Sequence, residues 1–136
     1  MASKQFKLEI VSPRKVVFSG DVQSFTAPGV VGGFQVLYDH APLLAATAVG
    51  EVKVVDAQGN PTRYATAGGF VEVKQNHAVM LADSIENLSE IDVARAERAK
   101  ARAEKRLAEQ VANLDVDRAR LALARALNRL RLANKQ

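Results

Sequence analysis

The side chains best equipped for chemistry lie in the last third of the chain, and the chemistry they suit is recognition of negative charge. Residues 91–136 carry twelve Lys and Arg against six Asp and Glu, a net of +6, whereas residues 1–90 carry seven against nine, a net of −2. Arginine offers a planar fork of donors that meets carboxylate or phosphate oxygens two at a time. An acidic protein surface, a polyphosphate or a nucleic acid would each suit such a segment. Within it, Ile91-Asp92-Val93-Ala94-Arg95-Ala96 is echoed 23 residues later by Leu114-Asp115-Val116-Asp117-Arg118-Ala119; both fit [I/L]-D-x-x-R-A. By itself each copy reads as a helix start. Asp accepts from free N–H groups and complements the positive end of the dipole, and Arg three residues on can pair with it along one face. Ser89, three residues before Asp92, resembles a capping box with Asp in the Glu position.

Catalytic chemistry finds less support. There is no cysteine, which excludes disulfides, thiolate metal sites and a thiol nucleophile. His40 and His77 are too few for a His-rich metal site; His40, next to the Pro42 and Leu run, reads as a turn residue, and so does His77. The glycine pairs 32–33 and 68–69 do not match the phosphate-loop pattern GxxxxGK[ST] and read as sites of unusual backbone angles or bulges.

The elements that must position these groups fall into two blocks. Residues 89–136 contain no Gly or Pro and are dense in Ala, Leu, Arg, Glu and Lys, the strong helix formers. We read two helices, 91–110 and 115–133, with a turn near Asn113, each roughly 30 Å long at a rise of about 1.5 Å per residue. The short link makes them an antiparallel hairpin. Its seam is expected to be Ala96, Ala99, Ala103 and Leu107 against Ala119, Leu123, Leu127 and Leu130. A seam largely of alanine buries little apolar area, at about 25 cal/mol per Å², so the helices should be able to part without unfolding.

Residues 1–88 read as β structure. Lys4 to Val11 alternates, with Phe6, Leu8 and Ile10 on one face. Short strands follow at Val16–Phe18, ended by Ser19-Gly20, at Val22–Ala27, ended by Pro28-Gly29, and in six or so later segments up to Leu81, punctuated by Gly, Pro and Asn turns. Eight to ten short strands imply an antiparallel sandwich, with Leu, Val and Ala filling a core poor in aromatics. The fold class is therefore α+β: an N-terminal antiparallel β-sandwich over 1–88, then a C-terminal antiparallel two-helix hairpin over 89–136. No stretch approaches the ~20 apolar residues of a membrane span.

With this order of elements, HAPLL at 40–44, AGGFVEV at 67–73, VMLAD at 79–83 and IDVARA at 91–96 together, the chain resembles the epsilon subunit of F-type ATP synthase over nearly its whole length. One segment departs: where many family members read GELGVLPGHAPLL, this chain reads GGFQVLYDHAPLL. Gly33 stands for an acidic residue, Gln35 for Gly, and Tyr38-Asp39 for Pro-Gly.

The resemblance implies a non-catalytic rotor subunit with no catalytic cofactor. Its sandwich would bind the gamma subunit and the c-subunit ring, the latter through the loop residues Gly32, Gly33, Phe34, Tyr38, Asp39 and His40. Its hairpin would be a mobile arm that, extended, enters the alpha/beta catalytic hexamer and obstructs ATP hydrolysis, with Arg118, Arg120, Arg125, Arg129 and Arg131 facing an acidic segment of beta. In members whose folded hairpin binds ATP as a regulatory ligand, the matching positions are Glu86, Ile91, Asp92, Arg95, Ala96, Arg102, Arg125 and Arg129. The resemblance and the absence of a presequence in the first ten residues imply a peripheral subunit on the cytoplasmic face of the bacterial plasma membrane, without membrane insertion, the plastid thylakoid being the alternative. A rival reading, a basic hairpin binding nucleic acid, is disfavoured because the hairpin has no aromatic side chain to stack on bases and its cations are interleaved with Glu and Asp.

Overall fold

The computed structural model describes residues 4–109 and 115–134. The chain divides into two units, Met1–Asn87 and Leu88–Gln136. The first holds nine strands: β1 (Phe6–Val11), β2 (Val16–Gly29), β3 (Gly32–Val36), β4 (Leu43–Thr47), β5 (Gly50–Asp56), β6 (Pro61–Thr66), β7 (Gly69–Lys74), β8 (His77–Ala82) and β9 (Ile85–Asn87).

Alternation sets the inner face. Phe6, Leu8 and Ile10 of β1 are buried, as are Val52 and Val54 of β5, Val71 and Val73 of β7, and Ala78, Met80 and Ala82 of β8. The core is richer in aromatics than composition implied, because Phe6, Phe25 and Tyr64 all point inward, and valine rather than leucine fills most of the rest.

Two expectations about strands need correcting. Ser19-Gly20 does not end a strand: residues 16–29 form one 14-residue element. Its first half pairs with β1, placing Gly20 opposite Leu8, and its second half pairs with β3 and β5 across an irregularity between Val22 and Ser24. A long strand that bends at a bulge can serve both layers of a sandwich; the passage falls at Val22 to Ser24, and Gly20 lies within the half paired with β1. The sandwich is also not wholly antiparallel. β1 lies between β2, to which it is antiparallel, and β8, to which it is parallel, Lys7 to Val11 matching His77 to Leu81. One layer thus runs β2-β1-β8-β7-β4 and the other β3-β2-β5-β6-β9. β9 extends the second layer by antiparallel pairing with β6 and had no counterpart among the expected strands.

The second unit begins with a 3-10 turn, Leu88–Glu90, followed by α1 (Val93–Glu109) and α2 (Val116–Ala133). α1 starts two residues later than expected, because Asp92 rather than Ser89 is its cap. Arg95 N donates to Asp92 Oδ1 at 3.0 Å and Ala96 N to Asp92 O at 3.0 Å. Ser89 lies in the 3-10 turn that precedes this cap. The expected end of the first helix at Gln110, the turn near Asn113 and Leu114 lie outside the described residues.

The seam is also shifted on α2. Ala96 and Ala103 are buried on α1, and Ala119 and Ala126 on α2, whereas Leu127 is 44% exposed. The seam of α2 therefore follows Ala119, Leu123, Ala126 and Leu130. Leu127 stands about 100° further round the helix.

Candidate functional site

The hairpin arginines form one stripe on α1 and two on α2. On α1, Arg95, Arg102 and Arg106 step by seven and four residues and are exposed. On α2, Arg118, Arg125 and Arg129 step the same way; Arg118 is exposed and the other two are half-buried. Steps of seven and eleven return to within about 20° on an α-helix, so each trio lies along one line. Arg120 and Arg131 form a separate line about 200° from Arg118, and Arg131 Nη2 donates to Asn128 Oδ1 at 2.8 Å. The five arginines expected to meet the beta subunit thus occupy two faces of α2.

Of the residues expected at ATP, the structure places Ile91, Asp92, Arg95, Ala96 and Arg102 at or in α1 and Arg125 and Arg129 in α2. Glu86 belongs to β9 and therefore to the other unit. Arg125 Nε is shielded from solvent and has no acceptor among the described residues, which is costly for a charged donor and cheap to relieve with an anion. Two members have structural duties of their own. Ala96, 2% exposed, packs in the seam, so it backs the site instead of offering an open apolar wall. Asp92 engages Arg95 through the backbone N–H and not through the guanidinium, leaving that guanidinium available.

The six loop residues expected at the c ring occupy opposite ends of β3. Gly32, Gly33 and Phe34 begin it, next to a hairpin tip where Val30 is 61% and Val31 101% exposed. Gly32 has φ 132, a backbone state that glycine adopts freely. Tyr38, Asp39 and His40 follow its other end, about 16 Å away at ~3.3 Å per residue. There the chain turns, His40 N donating to Leu37 O at 3.2 Å, and His40 Nδ1 lies 2.6 Å from Ala41 O. That places His40 in a turn, as its sequence setting implied.

Some functional features escaped the sequence reading. Asn76 bonds Asp39 from the β7–β8 turn, and the Lys4 ammonium lies 5.3 Å from the centre of the Tyr38 ring. These partners are distant in sequence and carry no local signal. An exposed apolar group is the second omission. Phe70 pairs with Ala46 on one side and Leu81 on the other, and Leu44 stands one outward position along β4. Leu44, Phe70 and Leu81 are 72%, 58% and 57% exposed. The signal was present: β4 and β8 are apolar on both faces, where a solvated antiparallel face should be polar.

Other charged groups are satisfied internally. Arg63 Nε and Nη2 donate to the two Glu51 oxygens at 2.6 and 3.0 Å, and that bond holds the guanidinium above its ordinary pKa. His77 Nε2 meets Glu9 Oε2 at 3.0 Å. No group of three His, Asp or Glu among the described residues is placed to hold a metal. No helix among them is long and apolar enough to cross a membrane.

A nine-stranded β-sandwich with an exposed apolar strand face, followed by an arginine-striped two-helix hairpin, defines a two-domain β-sandwich and helical-hairpin protein. The ATP synthase delta/epsilon chain family matches throughout, its beta-sandwich domain over residues 5–88 and its long alpha-helix domain over residues 89–134. The chain belongs to this family and is a non-catalytic epsilon chain within it. It is 48% identical over 135 residues to the ATP synthase epsilon chain of Pelotomaculum thermopropionicum, covering 99% of this chain and 100% of that one. It is 46% identical over 137 residues to the epsilon chain of Salinibacter ruber, covering 95% and 92%. Its fold is similar to that of a chain in the Euglena gracilis mitochondrial ATP synthase OSCP/F1/c-ring structure, with a TM-score of 0.76, 20% identity and coverage of 97% and 82%.

Proposed function

We propose that the chain works in the central stalk of an F-type ATP synthase, linking the gamma subunit and the c-subunit ring to the alpha/beta hexamer and restraining ATP hydrolysis through its hairpin. The exposed Leu44, Phe70 and Leu81 supply an apolar face for gamma, since such a cluster gains most from being covered. The Val30-Val31 tip with Gly32, Gly33 and Phe34 meets the c ring, and Tyr38, Asp39 and His40 hold the far end of β3. The subunit works peripherally, at the cytoplasmic face of a bacterial plasma membrane.

The observation that carries the mobile-arm reading is the seam. Four of its buried positions, Ala96 and Ala103 on α1 and Ala119 and Ala126 on α2, are alanines, with Leu132 the one large apolar side chain fully buried on either helix among the described residues, so parting the helices exposes little apolar surface, about 25 cal/mol for each Å². Opened, the arm presents Arg118, Arg120, Arg125, Arg129 and Arg131 to an acidic segment of beta. Closed, it holds ATP through Ile91, Asp92, Arg95, Arg102, Arg125 and Arg129, with Ala96 behind them. Because the arginines come from both helices, ATP binds the closed form alone and favours it by mass action. The nucleotide is a regulatory ligand and is not hydrolysed.

Reconstitution with gamma and the catalytic hexamer tests the arm: deleting residues 89–136 should raise the ATP hydrolysis rate, and an unchanged rate overturns it. Titration of the whole chain with ATP tests the ligand: binding should weaken at least tenfold in Arg95→Ala or Arg129→Ala, each removing a charge-assisted pair of about 1.5–3 kcal/mol. Absence of binding in the parent overturns it.

A further inference from the structure

Given the ring contact proposed above, on which this rests, we infer that it is made through main chain and not through charge. The free edge of β3 takes up an extended, uncharged segment of the c ring as an added strand, paired at Gly33 and Gln35.

Among the described residues β3 pairs with β2 alone, in unbroken register from Phe25 opposite Val36 to Gly29 opposite Gly32. Pro28 stands opposite Gly33, and Pro28 O accepts from Ala48 N at 2.7 Å on the side away from β3. Opposed residues of an antiparallel pair either bond each other or both turn outward, in alternation. Gly33 therefore turns its N–H and C=O to the free edge. Gln35 does the same two residues on, at about 3.3 Å per residue. Phe34 and Val36 turn inward, while Gly33 and Gln35 are exposed.

Proteins normally block such an edge with a charge, a proline or a bulge. β3 has none of the three, and no charged residue occurs between Asp21 and Asp39. At the other edge of the same layer, β9 carries Glu86. The glycines of the tip differ in the same sense. A Cβ on Gly29 would stand 2.5 Å from Gly32 O, and Gly32 has φ 132, so the fold needs both. Gly33 is under neither constraint: its Cβ would meet nothing nearer than Ala27 O at 3.7 Å, an ordinary contact. Glycine weakens a strand, and where the fold does not need it, it marks a place that another backbone approaches closely. Strand addition to an open edge uses these outward main-chain groups. The edge runs on into Val30 and Val31, the tip assigned to the ring, which are 61% and 101% exposed. A charged segment laid there would lose hydration and find no opposite charge to meet it, so the occupant is uncharged.

Hydrogen–deuterium exchange of the full chain, alone and bound to purified c ring, tests this, with amides read singly by NMR after dissociation. In the free chain Gly33 and Gln35 should exchange fast and Phe34 and Val36 slowly. On the ring, Gly33 and Gln35 should slow by about tenfold or more. Gly33→Val should melt no lower than the parent, because valine suits a strand, yet bind the ring about tenfold more weakly or worse. Parent affinity should change less than about threefold between roughly 50 and 500 mM salt. Ring binding without slowing at Gly33 and Gln35 overturns the main-chain pairing and leaves the ring contact standing. Binding that falls steeply with salt, or a Gly33→Val chain that binds like the parent, does the same. Concentration-dependent slowing at Gly33 and Gln35 without the ring assigns the edge to a second copy of the chain and also overturns it. A parent that does not bind the ring removes both readings.

Discussion

Asp39 and Asn76 hold each other twice: the Asp39 backbone N–H donates to Asn76 Oδ1 at 2.6 Å, and Asn76 Nδ2 donates to Asp39 Oδ1 at 2.8 Å. Both have left-handed backbones, with φ of 61 and 56. Asp39 holds a backbone state that favours glycine, so the side chain that makes the turn harder to adopt also supplies the bond that keeps it. Asn76→Ala should lower stability by about 1–2 kcal/mol, the loss of two hydrogen bonds at an exposed site. Asp39→Gly should cost less than Asp39→Ala by about 1 kcal/mol, because glycine removes the left-handed penalty and alanine keeps it. Denaturant midpoints of the three variants check the order.

The two helix caps make a matched pair of controls. Asp92→Ala and Asp115→Ala should each cost about 1 kcal/mol of helix stability, seen as similar losses in thermal melts. Only Asp92→Ala should weaken ATP at the Arg95–Arg129 end. Equal weakening by both would show that the ligand effect is only loss of helix.

The shifted seam is open to a direct comparison. Ala126→Leu should destabilise by about 1–3 kcal/mol, because a larger side chain at a position 1% exposed pushes the helices apart. Leu127→Ala should stay within about 0.5 kcal/mol of the parent, as expected on an exposed helix surface. The reverse order of melting temperatures would restore the seam first read from the sequence.

Phe70→Glu should leave the sandwich folded, since the side chain is 58% exposed, while lowering affinity for gamma at least tenfold, about 1.4 kcal/mol or more. Co-purification with gamma and the circular dichroism of the free variant are the two measurements. Retained affinity would move the gamma contact to another face.

What could be read in advance followed local chemistry. β1 was legible because Phe6, Leu8 and Ile10 alternate with polar neighbours, and the hairpin because its composition permits little else. β2 was cut in two because Ser19-Gly20 looks like a terminator, and only the non-local pairing of Gly20 with Leu8 explains its presence inside a strand. The α2 seam was misplaced because Ala126 and Leu127 are adjacent and leucine is the more hydrophobic; close helix approach selects the smaller side chain. The Asp39–Asn76 pair could not be read, because nothing near either residue points to the other. The ATP positions came from family resemblance. The structure adds to them the available guanidinium of Arg95 and the shielded Nε of Arg125.

The parallel contact between β1 and β8 fixes an order of events at the ribosome. Lys7 finds His77 only after about seventy further residues have been made, a long-range closure of the slow kind. Until then the first strand has one neighbour, β2, and its other edge is bare. A nascent chain stalled ahead of Ala78 would therefore hold an incomplete layer with a sticky margin, the species most apt to aggregate or to be cleared by proteases.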